Sequence, residues 1–140
     1  MAAENEVVFL KKVTRSLIAG MWGYNIGNFP RGLTVPDGSV QVLGAAEATY
    51  DLTRFGTVYS STFNGIWSPF TEVPGVLHVA SLGGGPGGVF AVMTSGTVWQ
   101  LVQGIQGPQK IPGITTAIAA TGNAFDGYAL LRDGRVMAWG

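Results

Sequence analysis

Few residues in this 140-residue chain are of types that do chemistry, and their spacing argues against most of it. There is no cysteine, so a disulfide framework and a thiolate zinc site are both excluded. The single histidine, His78, stands between Leu77 and Val79 with no nucleophile or orienting carboxylate near it in sequence, and it reads as a partly exposed strand residue rather than a general base. The run Gly83-Gly84-Gly85-Pro86-Gly87-Gly88 has the closely spaced amides that can cradle a phosphate. However, no Lys-Ser/Thr follows it and no helix pattern opens after it, so the run is expected to be a flexible inter-strand loop. The carboxylates are Glu4, Glu6, Asp37, Glu47, Asp51, Glu72, Asp126 and Asp133. Asp37 and Asp133 precede glycines and suit turns. Glu47, Asp51 and Asp126 are the ones that folding could pair, but they lack the spacing of a metal loop or an acid–base couple. The chain is therefore expected to have no catalytic residue, no metal and no cofactor.

Binding chemistry is better represented. Phe63-Asn64-Gly65-Ile66-Trp67-Ser68-Pro69-Phe70 concentrates three aromatic residues in a connection, which suits either an edge cover or a contact patch. Trp22, Trp99 and Trp139 fall on patterned segments and are expected to pack internally. Net charge is zero, and basic residues cluster only at Lys11, Lys12 and Arg15, so nucleic acid is not an expected partner. Charged residues make up 11% of the chain, against about 25% in ordinary soluble domains. Such a surface suits coverage by partners or by copies of the chain. The N-terminus is acidic where a signal peptide is basic, and no apolar run is long enough to span a bilayer, so neither a membrane nor secretion by that route is expected. Compartment stays open.

The elements that would position these residues come from a repeat. Prolines at 36, 74 and 112, in Val35-Pro36-Asp37-Gly38, Val73-Pro74-Gly75 and Ile111-Pro112-Gly113, are spaced 38 residues apart. Each is followed at 20 to 22 residues by a glycine in Phe55-Gly56-Thr57-Val58, Ser95-Gly96-Thr97-Val98 or Asp133-Gly134-Arg135-Val136. Each is preceded by a third mark, at Gly27-Asn28-Phe29-Pro30, Gly65-Ile66-Trp67-Ser68-Pro69 and Gly104-Ile105-Gln106-Gly107-Pro108. Within a unit the pattern predicts one strand (Val40 to Ala46, Val76 to Leu82, Ile114 to Ala120) and then a hairpin whose glycine supplies positive φ. The hairpin arms are Tyr50 to Thr53 with Val58 to Ser61, Val89 to Met93 with Val98 to Leu101, and Tyr128 to Leu131 with Val136 to Trp139. Several short strands in a repeat of this length predict an all-β chain of β-propeller blades, about three units in residues 24–140. Residues 1–23 carry extra strands, Val7 to Val13 and Leu17 to Trp22, for a partial blade.

Tyr128-Ala129-Leu130-Leu131-Arg132-Asp133-Gly134-Arg135-Val136-Met137-Ala138-Trp139-Gly140 resembles the core of the regulator of chromosome condensation repeat, L-A-L-x-x-D-G-x-V-x-x-W-G. Trp22-Gly23-Tyr24-Asn25-Ile26-Gly27 resembles the stretch that follows that core. Ser61 and Leu101 replace the tryptophan in the other two units. The resemblance implies a propeller whose loops at one mouth recognise proteins; one member type inhibits β-lactamases and another promotes nucleotide exchange on a small GTPase. The matching loops here are Glu47-Ala48-Thr49, Gly83 to Gly88 and Asn123-Ala124-Phe125-Asp126. Expected partner-binding residues are thus Glu47, Thr49, Trp67, Asn123, Phe125 and Asp126. A propeller closes with 4–8 blades, so a second copy or further repeats would complete a ring of six or seven. The leading expectation is a non-enzymatic protein-binding module, acting as a homodimer or larger assembly. The alternative is a structural subunit of a virion or other large assembly.

Overall fold

The computed structural model describes residues 7–13, 16–23, 27–45, 48–85, 88–101 and 107–140, with side chains from residue 33 onward. Every regular element among them is a strand. By internal contacts the chain divides into two compact units, Met1–Val73 and Pro74–Gly140.

In the first unit β1 (Val7–Val13), β2 (Ser16–Gly23) and β3 (Gly27–Thr34) form an antiparallel sheet in that order. A second sheet follows in the order β4 (Ser39–Ala45), β5 (Ala48–Thr53), β6 (Val58–Thr62) and β7 (Thr71–Glu72). The second unit repeats the plan. Its first sheet holds β8 (Val79–Gly85), β9 (Gly88–Met93), β10 (Val98–Leu101) and β11 (Gln109–Lys110); its second holds β12 (Ala117–Gly122), β13 (Gly127–Leu131) and β14 (Val136–Trp139). Sequential antiparallel strands with short turns are what a propeller blade requires.

The predicted hairpins form for the predicted reason. Gly56, Gly96 and Gly134 have φ of 78°, 87° and 88°, a region open to glycine at no steric cost. Each turn closes with the same pair of backbone bonds: Gly56 N–H to Thr53 O and Thr53 N–H to Thr57 O, both 3.0 Å, with counterparts at Met93/Thr97 and Leu131/Arg135. The central strands β5 and β9 are buried on both faces, which explains the unbroken apolar run of β9, while β5 buries Thr49, Asp51 and Thr53 among its apolar residues.

The first strand of a unit departs from expectation in the last two repeats. It begins at Val79 and Ala117, three residues later than Val76 and Ile114. Those two residues are buried instead at the exit of the Pro-Gly turns, where Gly75 and Gly113 each have φ 77°. His78 is not in a strand. It occupies an exposed bend at φ 60°, and its carbonyl accepts the Thr94 amide at 2.8 Å.

Gly83, Gly84 and Gly85 are likewise not a loop. They end β8 and pair with Phe90, Val89 and Gly88. A Cβ on Gly83 would overlap the Ala120 carbonyl, and one on Gly85 the Gly122 carbonyl. Glycine is required because β8 lies backbone to backbone against β12, a constraint invisible in a one-dimensional reading. The core of this unit lies beside that seam: Phe90, Val92, Val98 and Ile111 from one sheet meet Ile114, Ala117, Ala129 and Leu131, with Ala120 and Trp139 at the margin.

Candidate functional site

The clearest presentation surface is the four-residue turn between β12 and β13. Gly122 and Gly127 pair across its base, and neither has room for a Cβ: the Phe90 ring lies against Gly122 and the Trp139 ring against Gly127. Those rings meet edge to face at 5.3 Å, so the turn stands on a packed aromatic floor. Asn123 shapes it. Its Oδ1 accepts the amides of Phe125 and Asp126, both at 2.8 Å, while its own amide donates to the Asp126 carbonyl at 2.9 Å. The Tyr128 hydroxyl donates to Asp126 Oδ2 at 3.4 Å, and Asn123 Nδ2 lies at the same distance from that oxygen. Phe125 is left 88% exposed at the tip. Asn123, Phe125 and Asp126 therefore share one turn, with two of them holding the third outward.

A second apolar projection lies in the first unit between β6 and β7. Phe63 and Trp67 form an isolated antiparallel bridge, their rings 5.3 Å apart, and Gly65 turns the chain at φ 79°. Asn64 donates to the Ile66 carbonyl at 3.0 Å, and Ser68 ties the base through bonds with Thr62 and Ser61. Trp67 is half-buried, with its indole N–H enclosed and without an acceptor among the described residues. The outermost side chain is Ile66, 79% exposed, which the sequence reading passed over in favour of the tryptophan.

Two of the other expected residues do not join these surfaces. Thr49 is in β5, opposite Gly44 and Ser61, and fully buried, so it is a sheet residue rather than a loop contact. Glu47 lies outside the described residues.

Asp51 has a different environment from the one its sequence position suggested. It sits within β5, fully enclosed, and neither carboxyl oxygen has a hydrogen-bond partner among the described residues. Burial pushes its pKa from 3.8 to about 7. Ala91 and Ala129 occupy the same place in the later repeats. At the far end of the hairpins Asp133 accepts the Arg135 amide at 3.0 Å and its Nε at 2.8 Å, and these bonds hold its carboxyl below the usual range. Among the described residues no three His, Cys, Asp or Glu side chains gather as a metal site, and no helix is long and apolar enough to cross a membrane.

Glycine-turned antiparallel sheets in a regular repeat, with the inner strands β8 and β12 of the second unit in backbone contact, are blades of a β-propeller. Three solved structures share this fold. The chain is similar to human WBSCR16, with a TM-score of 0.74 and 18% identity over 97% of this chain and 45% of that one. It is similar to Prp20p from Saccharomyces cerevisiae, studied for its binding to Gsp1p and histones, with a TM-score of 0.73, 11% identity and 97% and 43% coverage. It is similar again to yeast RCC1 (Prp20) bound to Kap60, with a TM-score of 0.72, 11% identity and 97% and 42% coverage. The chain thus spans less than half the length of each. No protein-family model and no curated protein matches the sequence.

Proposed function

We propose that the chain is a non-catalytic protein-binding propeller segment that recognises its partner through turns at the ends of its blades. One observation carries this reading: Phe125 is almost wholly exposed on a turn whose backbone is already fixed by Asn123. An exposed aromatic on a rigid turn loses little entropy on association, and aromatic anchors of this kind dominate protein interfaces. Ile66, Phe63 and Trp67 offer a second anchor of the same character. That Prp20p binds Gsp1p and histones supports a protein partner for a propeller of this type. Nucleic acid is not the partner this reading expects, because the basic residues form no continuous stripe in the sequence. Affinity capture with the chain as bait, followed by titration of the captured protein, tests the proposal. Phe125→Ala is expected to weaken binding by about 2 kcal/mol; unchanged affinity would overturn it.

The alternative, a structural subunit covered by its own copies, is favoured by the exposed apolar residues Ile118, Leu130 and Val136 on the last sheet. A homodimer or larger oligomer in dilute solution would support it. A monomer at high concentration would exclude it.

A further inference from the structure

Asn64 and Asn123 are the two asparagines whose side chains are described, and the structure treats them oppositely. Asn123 is held in place. Its Oδ1 accepts the amides of Phe125 and Asp126, both at 2.8 Å, and the next residue, Ala124, carries a methyl group beside its main-chain nitrogen. Asn64 lies at the tip of the connection between β6 and β7, with Gly65 after it, and both residues are exposed. Among the described residues no hydrogen bond engages the Asn64 side chain or the Gly65 amide. Gly65 turns the chain at φ 79°, and the space that a Cβ would take there is empty out to 4 Å. The Asn64 carboxamide carbon is thus an unheld electrophile, one ring closure away from a main-chain nitrogen that no side chain shields.

We propose that Asn64–Gly65 is a spontaneous modification site, at which Asn64 deamidates through a succinimide to aspartate and isoaspartate. Hydroxide takes the proton from the Gly65 amide, and the nitrogen attacks Asn64 Cγ. The N–Cγ bond forms, the Cγ–Nδ2 bond breaks, and Nδ2 takes a proton from water and leaves as ammonia. Water then opens the ring. Addition at Cγ leaves the main chain unaltered and gives an aspartate side chain. Addition at the Asn64 main-chain carbonyl leaves the chain running through Cγ, one carbon longer. Water is consumed, ammonia is released, and nothing is oxidised or reduced.

Either product puts a carboxylate beside Ile66, which is 79% exposed. Isoaspartate also lengthens a turn whose ends are tied by the Phe63–Trp67 bridge and by the Asn64 amide, which donates to the Ile66 carbonyl at 3.0 Å. A longer chain cannot keep both. On the reading that Ile66 and Trp67 form a binding anchor, a charge that must be desolvated at an apolar contact turns that anchor off with age and leaves the Phe125 turn as it was.

The test incubates the full chain at mildly alkaline pH in oxygen-labelled water and follows it by peptide-mapping mass spectrometry, with isoaspartate counted by enzymatic carboxyl methylation. Conversion of Asn64 to both products is expected, each carrying label, at a rate that rises in proportion to hydroxide, while Asn123 stays intact over the same period. Gly65→Ala, which places a methyl group beside the attacking nitrogen, is expected to slow the conversion several-fold. Asn64→Gln, which must close a larger ring, is expected to suppress it. Conversion in a free peptide of residues 60–70 but none in the folded chain would overturn the proposal, because the turn would then protect the asparagine. Aspartate without isoaspartate, the mark of direct hydrolysis, would overturn it too, as would equal conversion at Asn123. None of these readouts involves a binding partner, so failure of this chemistry and failure of the proposed binding role are told apart.

Discussion

Replacing Asp51 by alanine should stabilise this protein at neutral pH and remove the fall in its stability between about pH 4 and pH 7. The carboxyl is fully buried without a partner, so the native state favours its protonated form and the pKa rises from 3.8 to about 7. Below about pH 4 both native and unfolded chains hold the proton, and the group contributes no pH dependence. Between about pH 4 and pH 7 the unfolded chain has released it while the native chain has not, so stability falls as pH rises, and above about pH 7 it levels off. A shift of roughly three pH units at about 1.4 kcal/mol each sets the span of that fall at about 4 kcal/mol. Alanine, the residue at this place in the later repeats, has no charge to desolvate. Asp51→Ala is therefore expected to remove the slope and to gain up to about 4 kcal/mol at pH 8, less the small loss of packing. Urea denaturation followed by tryptophan fluorescence at half-unit steps from pH 4 to pH 8 measures both curves. Parallel curves for the two proteins, or a wild type that grows more stable toward pH 7, would refute the reasoning.

Gly83→Ala should cost about 2 kcal/mol or more, because its Cβ would enter the Ala120 carbonyl and backbone cannot step aside as a side chain can; denaturation midpoints check it. Gly96→Ala should cost more than Gly134→Ala in the same assay. Both sit at positive φ, for about 1 kcal/mol, but only Gly96 also abuts the Thr115 carbonyl, while Gly134 faces open space. Phe125→Ala should leave the melting temperature unchanged, since its ring is exposed, and Asn123→Ala should loosen the turn and weaken partner binding without removing the aromatic anchor.

The hairpins were legible because alternation and a turn glycine are local properties, and β5–β6, β9–β10 and β13–β14 formed on the expected residues. The 38-residue spacing of the prolines carried the fold in the same way. What escaped was whatever depended on a neighbour in space. Strands β7 and β11 are two polar residues each, with no pattern of their own, and are defined only by the strand they pair with. The inner strands start late because the Pro-Gly turn and the bend at His78 consume residues that look strand-forming. Gly83 to Gly85 resembled a breaker because a sequence shows the missing side chain but not the carbonyl that forbids one. Asn123, Phe125 and Asp126 are named through family resemblance as candidates only, and the structure adds that they share one turn in which the asparagine holds the backbone beneath the phenylalanine. Thr49 was placed one strand boundary away from its true position, and that single boundary moved it from surface to interior.

The seam between β8 and β12 has a consequence for how the molecule responds to heat. Where Gly83 and Gly85 meet the carbonyls of Ala120 and Gly122, no rotatable side chain stands between the sheets. Contacts elsewhere in this unit, among Phe90, Ile114 and Leu131, can exchange rotamers and so gain disorder gradually as temperature rises. The glycines of the seam have no rotamers to exchange, so its opening is expected to be shared by both blades, with similar amide-exchange protection at Gly83–Gly85 and Ala120–Gly122.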